Sequence, residues 1–331
     1  MGAPRGGRLR AWAELLRAPL LLSPAADVLA GWSVAAARLA ANNSLGDSAG
    51  PAPFADILRE ALLPLGVAAT TGTLLLAGGM ILNGVVDVAE DRQRKPDRPL
   101  ARGAIGLSAA ATAATGCLVL AILLAWLLLP AALSIVAWMA GLIVAYHVGL
   151  KRLRLPGCVA LGAIRGLDVW LGAVALRSIS DARADDIALL NEDPVRGATT
   201  LGIAKIYAAY MFAASLFAST DDEPGEATWS TPGLLLAILC LLLLLPPLLF
   251  AGQASTLLAL AAVTAALWRI IHAASRRPRP ATTGALLSGL YLFHAAACFA
   301  TDWGTLSLAA GSSCLLLFAA SRLLLRAFPP T

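Results

Sequence analysis

The sequence predicts an all-α, polytopic membrane protein, and three observations carry that reading. Hydrophobic residues make up 59% of the 331 residues and charged residues only 14%. Mean hydropathy is +0.77, outside the range of water-soluble domains. Apolar stretches of roughly 18 or more residues, long enough to cross a bilayer as a helix, recur from end to end. The basic residues fall in short clusters between these stretches, as they do in loops that flank membrane spans. The pI near 9.2 thus has a membrane explanation, and nucleic acid is not an expected partner.

Taken in order, a basic segment (1–17) precedes a first span near 19–40. That first run lacks a small-residue cleavage site and is read as a span, not a secretory leader. Further spans fall near 61–82, 105–128, 131–149, 156–177, 198–219, 232–250, 254–275 and 281–300, and a tenth apolar segment occupies 305–325. The expected architecture is therefore one membrane domain over 1–331, a bundle of about nine helices with an added C-terminal one. Gly78, Gly79, Gly162, Gly166 and Gly284 with Ser288 lie inside spans, where small residues let helices approach closely. Cys117, Cys158, Cys240, Cys298 and Cys314 lack CxxC spacing and are read as packing residues. His147, His272 and His294 are isolated in sequence and are read the same way. Trp138, Trp170 and Trp303 lie near span ends and are read as interfacial anchors.

Sidedness follows from counting. With the N-terminus inside and every span crossing, 18 of the 25 Lys and Arg residues fall on the inner side. They are Arg5, Arg8, Arg10, Arg17, the five from Arg92 to Arg102, Lys151, Arg152, Arg154, Arg269, Arg276, Arg277, Arg279, Arg322 and Arg326. Only Arg38, Arg59, Arg177, Arg183 and Arg196 fall outside. The positive-inside rule then places the N-terminus and the inner loops in the cytoplasm, in the plasma (inner) membrane. The outer loop 178–197, with Asp181 and Asp185, is read as a solvated acidic loop.

The chemistry concentrates in NGVVDVAEDRQRKPDRPLARG, directly after the second span. Asn83, Asp87 and Asp91 are spaced by four, so on a helix they stack on one face about 6 Å apart, at ~1.5 Å per residue. Carboxylates stacked at a membrane surface call for a cation, and Mg²⁺ takes carboxylates together with phosphate oxygens. Arg94, Lys95, Arg98 and Arg102 follow, and guanidinium forks grip phosphate through paired hydrogen bonds. The pattern reads as a metal–diphosphate site at the mouth of a membrane protein. Arg165 and Asp168, three apart in the fifth span, form a candidate cavity pair: a structural ion pair or an acceptor contact. Lys205 and Tyr210 are candidates for lining the same cavity.

This segment resembles the first aspartate-rich motif of the UbiA superfamily of intramembrane prenyltransferases, NxxxDxxxD followed by a PxRP turn. YHVGLKRLRLPG, from Tyr146 to Gly157, resembles that family's connection between its fourth and fifth helices, with Lys151 at the basic position. The resemblance implies a helical barrel around a central cavity capped by cytoplasmic loops. It implies Mg²⁺ held by Asn83, Asp87 and Asp91, with the two aspartates and Lys151 in the catalytic role. Arg94, Lys95, Arg98 and Arg102 then bind the diphosphate. The implied partners are a polyprenyl diphosphate donor, a lipophilic or aromatic acceptor, and membrane lipids. The family's second aspartate motif corresponds to STDDEPGEATW, where Asp221 and Asp222 are candidate metal ligands. Pro224 and Gly225 argue against a continuous helix there, so a shortened metal site and an acidic turn both stay open. The RRPRP loop and the added C-terminal segment resemble an EboC-like subgroup of the superfamily. Two rival functions remain beside prenyl transfer: a non-catalytic binder or carrier, motivated by the altered second motif, and an unrelated ten-helix secondary transporter.

Overall fold

The computed structural model describes residues 5–43, 54–177, 200–219, 230–245, 253–276, 279–301 and 304–328. Among them every regular element is helical. In chain order these are α1 (Arg5–Leu15), α2 (Ser23–Asn43), α3 (Phe54–Arg94), α4 (Leu107–Leu128), α5 (Leu133–Val148) and α6 (Arg154–Arg177). They continue with α7 (Thr200–Ala218), α8 (Ser230–Leu242), α9 (Gln253–Arg276), α10 (Arg279–Phe299) and α11 (Gly304–Ala327). Nine helices among the described residues are long and apolar enough to cross a membrane, and Pro232–Leu242 adds a shorter apolar one. The expected polytopic, all-α class is what the chain adopts.

One element outruns its expected bounds, and the difference matters. α3 is a single helix of 41 residues that passes through Pro64 and continues to Arg94, so it spans about 60 Å at ~1.5 Å per residue. Nothing after Gly84 breaks it: Val, Ala, Glu, Gln and Arg keep it helical past the apolar core. It stops where Pro96 disfavours the α conformation of the preceding Lys95. Asn83, Asp87 and Asp91 are thereby carried on a rigid rod, not on a loop.

Packing is closest where glycine removes the side chain. α2 and α6 approach so tightly that a Cβ at Gly172 would lie 2.0 Å from the Val28 carbonyl oxygen, and one at Gly31 would lie 1.7 Å from that of Val169. Gly162 similarly admits the Ala208 carbonyl of α7. Gly284 departs from the packing expectation, because a Cβ there would meet nothing within 4 Å and the residue instead lines a cavity. α10 is the most enclosed of the long helices, with Phe293, Ala295, Ala296 and Cys298 buried in the largest core cluster. On α4 and α5, by contrast, Trp126, Leu127 and Trp138 are exposed, as lipid-facing side chains in a bilayer would be. Trp170, on α6, is partly buried and packs against two core clusters. Trp303 and the acidic loop 178–197 lie outside the described residues.

One end of the bundle gathers the basic clusters. A single cavity there is lined from the α1 end, the α3 C-terminus, the α7 C-terminus, the α10 N-terminal half and the α11 C-terminus. Lys151 and Arg154, at the α5–α6 junction, reach Asp87 and Ser219 at the same end. Arg17, Lys95, Arg98, Lys151 and Arg154 thus share one end of the bundle.

The packing yields a stability prediction. Gly172→Ala should lower stability by about 1–3 kcal/mol, the range for overpacking a close contact, whereas Gly284→Ala, inside α10 with open space beside it, should raise it by up to about 1 kcal/mol. Unfolding midpoints in detergent check this, and equal midpoints would contradict the close α2–α6 approach.

Candidate active site

The site is built around the last three turns of α3. Beyond Arg94 the chain turns sharply: the Arg98 N–H donates to the Lys95 carbonyl at 3.1 Å, the Arg102 N–H to the Arg98 carbonyl at 3.0 Å, and the Gly103 N–H to the Leu100 carbonyl at 3.2 Å. Gly103 takes the left-handed φ of 74° that this turn needs. Leu100 and Ile105 pin the loop into a cluster with Ala11 and Leu15 of α1 and Ile81 of α3. The result folds Arg98 back onto the helix, where its Nη1 donates to both carboxylate oxygens of Asp91, at 2.8 and 2.9 Å. Asp91 is buried at 6% exposure.

A second cation arrives from the α5–α6 junction. The Lys151 Nζ forms an ion pair with Asp87 and donates to the Asn83 Oδ1 at 3.2 Å. His147 Nδ1 lies 3.1 Å from the same oxygen, so this histidine belongs to the site and is not simply a packing residue. Its position four residues before Lys151, in the same junction, was the available signal. Asn83, Asp87 and Asp91 do share one face, and a polar cavity of about 540 Å³ opens over it, lined also by Glu90, Arg94, Lys95 and Arg98. Arg94 pairs with Glu90 at 2.9 Å on the exposed rim. Lys95 has no side-chain partner among the described residues.

Arg102 sits differently from expectation. It lines neither cavity described here; it donates to Glu14 at 2.7 Å and to the Asp97 carbonyl at 2.7 Å. Glu14 also accepts from Arg10 at 3.0 Å. Burial alone would raise the Glu14 carboxyl, but hydrogen bonds from Arg102 and Arg10 and their positive charges overcome it and hold the pKa below the ordinary carboxylate value. Arg102 thus fastens α1 to the site loop, a role without a sequence signal. Asp221 and Asp222 lie outside the described residues.

A second cavity, of about 460 Å³, adjoins the first and shares Asn83, Asp91, Lys95 and Arg98 with it. Its remaining walls are largely apolar, from Leu20, Met80, Leu287, Leu325 and Phe328.

Arg165 and Asp168 do pair, at 3.3 Å, but the shorter ion-pair contact runs from Arg165 to Asp27 of α2, at 2.6 Å. Asp27 also accepts from the Tyr207 hydroxyl at 3.0 Å and lies 2.7 Å from His294 Nε2. This network ties α2, α6, α7 and α10 together in the bundle core, and none of its members lines either cavity. His294 is therefore a network member. Lys205 is exposed, and Tyr210 is buried with its hydroxyl donating to the Leu286 carbonyl at 2.6 Å; neither lines the two cavities.

With this geometry in view, the model of the UbiA prenyltransferase family matches residues 49–297. The chain belongs to the UbiA prenyltransferase family. The matched segment holds Asn83, Asp87, Asp91, Lys151 and Arg165, and it leaves α1, all of α2 and α11 outside. A digeranylgeranylglyceryl phosphate synthase of Ignicoccus hospitalis is 29% identical over 169 residues, 51% of this chain and 48% of that protein. One of Methanoculleus marisnigri is 37% identical over 93 residues, 28% of this chain and 33% of that protein. The chain thus spans half or less of the length of these two relatives. A solved structure described as giving structural and mechanistic insights into the biosynthesis of digeranylgeranylglyceryl phosphate synthase in membranes aligns over 90% of this chain and 99% of its own. Its TM-score of 0.55 at 16% identity is a likeness of fold alone.

For this UbiA-family bundle the core network carries its own prediction. Arg165→Met leaves Asp27 and Asp168 buried without their cation and should lower stability by about 3–5 kcal/mol. Lys205→Met, at an exposed position, should change it by about 0.5 kcal/mol or less. Urea or thermal midpoints in detergent decide; equal losses would contradict the network.

Proposed function

We propose that the chain is a Mg²⁺-dependent membrane prenyltransferase that takes an isoprenoid diphosphate donor at Asn83, Asp87 and Asp91 and passes its prenyl group to a lipophilic acceptor. The observation that supports this most is the pairing of each stacked aspartate with a cation brought from another part of the chain, under an open polar cavity. The donor set suits Mg²⁺: three hard oxygen ligands on one helix face, with Lys and Arg beside them for phosphate oxygens. When bound, Mg²⁺ supplies charge neutralisation for the departing diphosphate. Asn83, Asp87 and Asp91 would hold it, and Asp221 and Asp222 are proposed as further ligands.

The protein groups then have definite tasks. Lys151 and Arg98 each exchange a carboxylate partner for phosphate oxygens as the donor arrives, and Lys95 and Arg94 add charge at the rim. In the transfer the allylic C–O bond breaks and the diphosphate leaves with the electron pair. The acceptor's nucleophilic atom forms the new bond and gives up a proton. Cations already in place stabilise the leaving group without reorganisation. The relatives' names direct the acceptor search to prenylated glyceryl phosphates, with aromatic acceptors as the second class. The charge distribution supports a plasma (inner) membrane location with the site and N-terminus cytoplasmic.

Purified protein given geranylgeranyl diphosphate, Mg²⁺ and both acceptor classes should release diphosphate, and a chelator should stop it. Asp87→Asn, Asp91→Asn and Lys151→Met should each lower kcat/KM by about 10²–10³-fold, the usual loss for one preorganised charge contact. Full turnover in the aspartate variants would overturn the proposal. Tight Mg²⁺-dependent donor binding without turnover would favour a carrier.

A further inference from the structure

Resting on that reading, we propose that the second cavity is the acceptor chamber and that Arg17 binds an oxyanion headgroup carried by an amphiphilic acceptor. Arg17 is the one non-glycine residue with positive φ among the described residues, at φ 45°, ψ 57°. A side chain in the left-handed region is disfavoured, and glycine would adopt it freely. An αL residue two positions past the end of α1 closes that helix, and here it is held by the surrounding contacts. Here the surroundings are explicit. The Arg17 N–H donates to the Glu14 carbonyl at 3.1 Å, and the Leu20 N–H donates to the Arg17 carbonyl at 2.8 Å. The Pro19 carbonyl then accepts from Tyr291 of α10 at 3.4 Å and from Ser321 of α11 at 3.0 Å.

The guanidinium so positioned has no ion pair or side-chain hydrogen bond among the described residues, unlike Arg10, Arg94, Arg98 and Arg102. It keeps solvent contact through the cavity it lines. Enough protein surrounds it that burial lowers its pKa, aided by the charge of Arg98 and opposed by that of Asp91. As a solvent-accessible guanidinium without a carboxylate partner among the described residues, it is available to an anion that enters the cavity.

The shape of the chamber specifies the rest of the ligand. Arg17 lines the chamber together with Glu14 and the apolar Leu20, Leu287, Leu325 and Phe328, and Asn83, Asp91, Lys95 and Arg98 are shared with the donor cavity. A molecule with one anionic head and a hydrocarbon tail satisfies both parts and touches the shared wall. The donor's own phosphates already have Lys151, Arg94, Lys95 and Arg98. Arg17, Leu20, Leu325 and Phe328 all lie outside the family-matched segment 49–297, so this selectivity is added by the chain's own ends.

The test is binding in phosphatidylcholine nanodiscs with Mg²⁺ and saturating inorganic diphosphate in the donor cavity. Dodecyl phosphate should bind without displacing diphosphate, and dodecanol should bind at least tenfold more weakly. Arg17→Gln should weaken dodecyl phosphate binding about 10–100-fold, as expected for a lost charge-assisted fork, with Arg17→Lys intermediate and diphosphate affinity unchanged in all. Arg17→Gly should melt at the same or a higher temperature than the parent and still lose dodecyl phosphate, which separates binding from folding. Displacement by diphosphate, equal binding of dodecanol, or unaltered dodecyl phosphate affinity in Arg17→Gln would overturn the inference. If diphosphate fails to bind while Arg17-dependent dodecyl phosphate binding persists, the transferase reading falls and this site stands.

Discussion

Two carboxylates on one helix face, each met by a cation from elsewhere in the chain, are the constraint on which the site depends. Asp87 and Asp91 stack about 6 Å apart on α3, a spacing set by four residues of helix. Two unscreened negative charges at that distance repel by about 3 kcal/mol at an effective dielectric near 20. Lys151 and Arg98 offset this repulsion and hold the carboxylates at the polar cavity. The loop after α3 and the α5–α6 junction are consequently fixed to the same helix end.

The rest of the molecule serves that mouth from two directions. Below it, the Asp27–Arg165–Asp168–Tyr207–His294 network and the glycine-mediated α2–α6 approach fix the helices that surround α3. A buried ion network is weak support for net stability but strongly penalises any arrangement that separates its members. Above it, Glu14 joins α1 to Arg102 of the site loop, so the N-terminal segment forms one wall of the second cavity. Two chambers of different character therefore meet at Asn83, Asp91, Lys95 and Arg98: one polar on all sides, the other apolar with a single unpaired guanidinium.

Local spacing made the first chamber legible in the sequence. The Asn83, Asp87 and Asp91 interval, the basic run after it and the Pro96 stop are all encoded within about one helical span, and α3 realises them directly. Lys151 was legible only through resemblance, because its partner Asp87 lies 64 residues away. Contacts set by bundle geometry were not legible. Glu14 and Arg102 are 88 residues apart, and Asp27 and His294 are 267 apart. A lone aspartate in the apolar second helix was nonetheless a usable warning, since an unpaired charge there has no affordable lipid-facing position. Arg165 was correctly linked to Asp168 by its i,i+3 spacing, yet its shorter ion-pair contact crosses to another helix. Position along the span does not reveal that Trp170 packs against two core clusters, because the helical face decides. Nothing in the sequence marks the left-handed turn at Arg17, which arises from the anchoring of Pro19 by two distant helices.

The most direct measurement is equilibrium binding of inorganic diphosphate to the purified protein with and without Mg²⁺. The account requires tight binding only when Mg²⁺ is present, and loss of that Mg²⁺ dependence when Asp87 and Asp91 are both replaced by Asn. Diphosphate that binds equally well in the absence of Mg²⁺, or that binds the double variant as it binds the parent, would contradict the central role of the paired carboxylates.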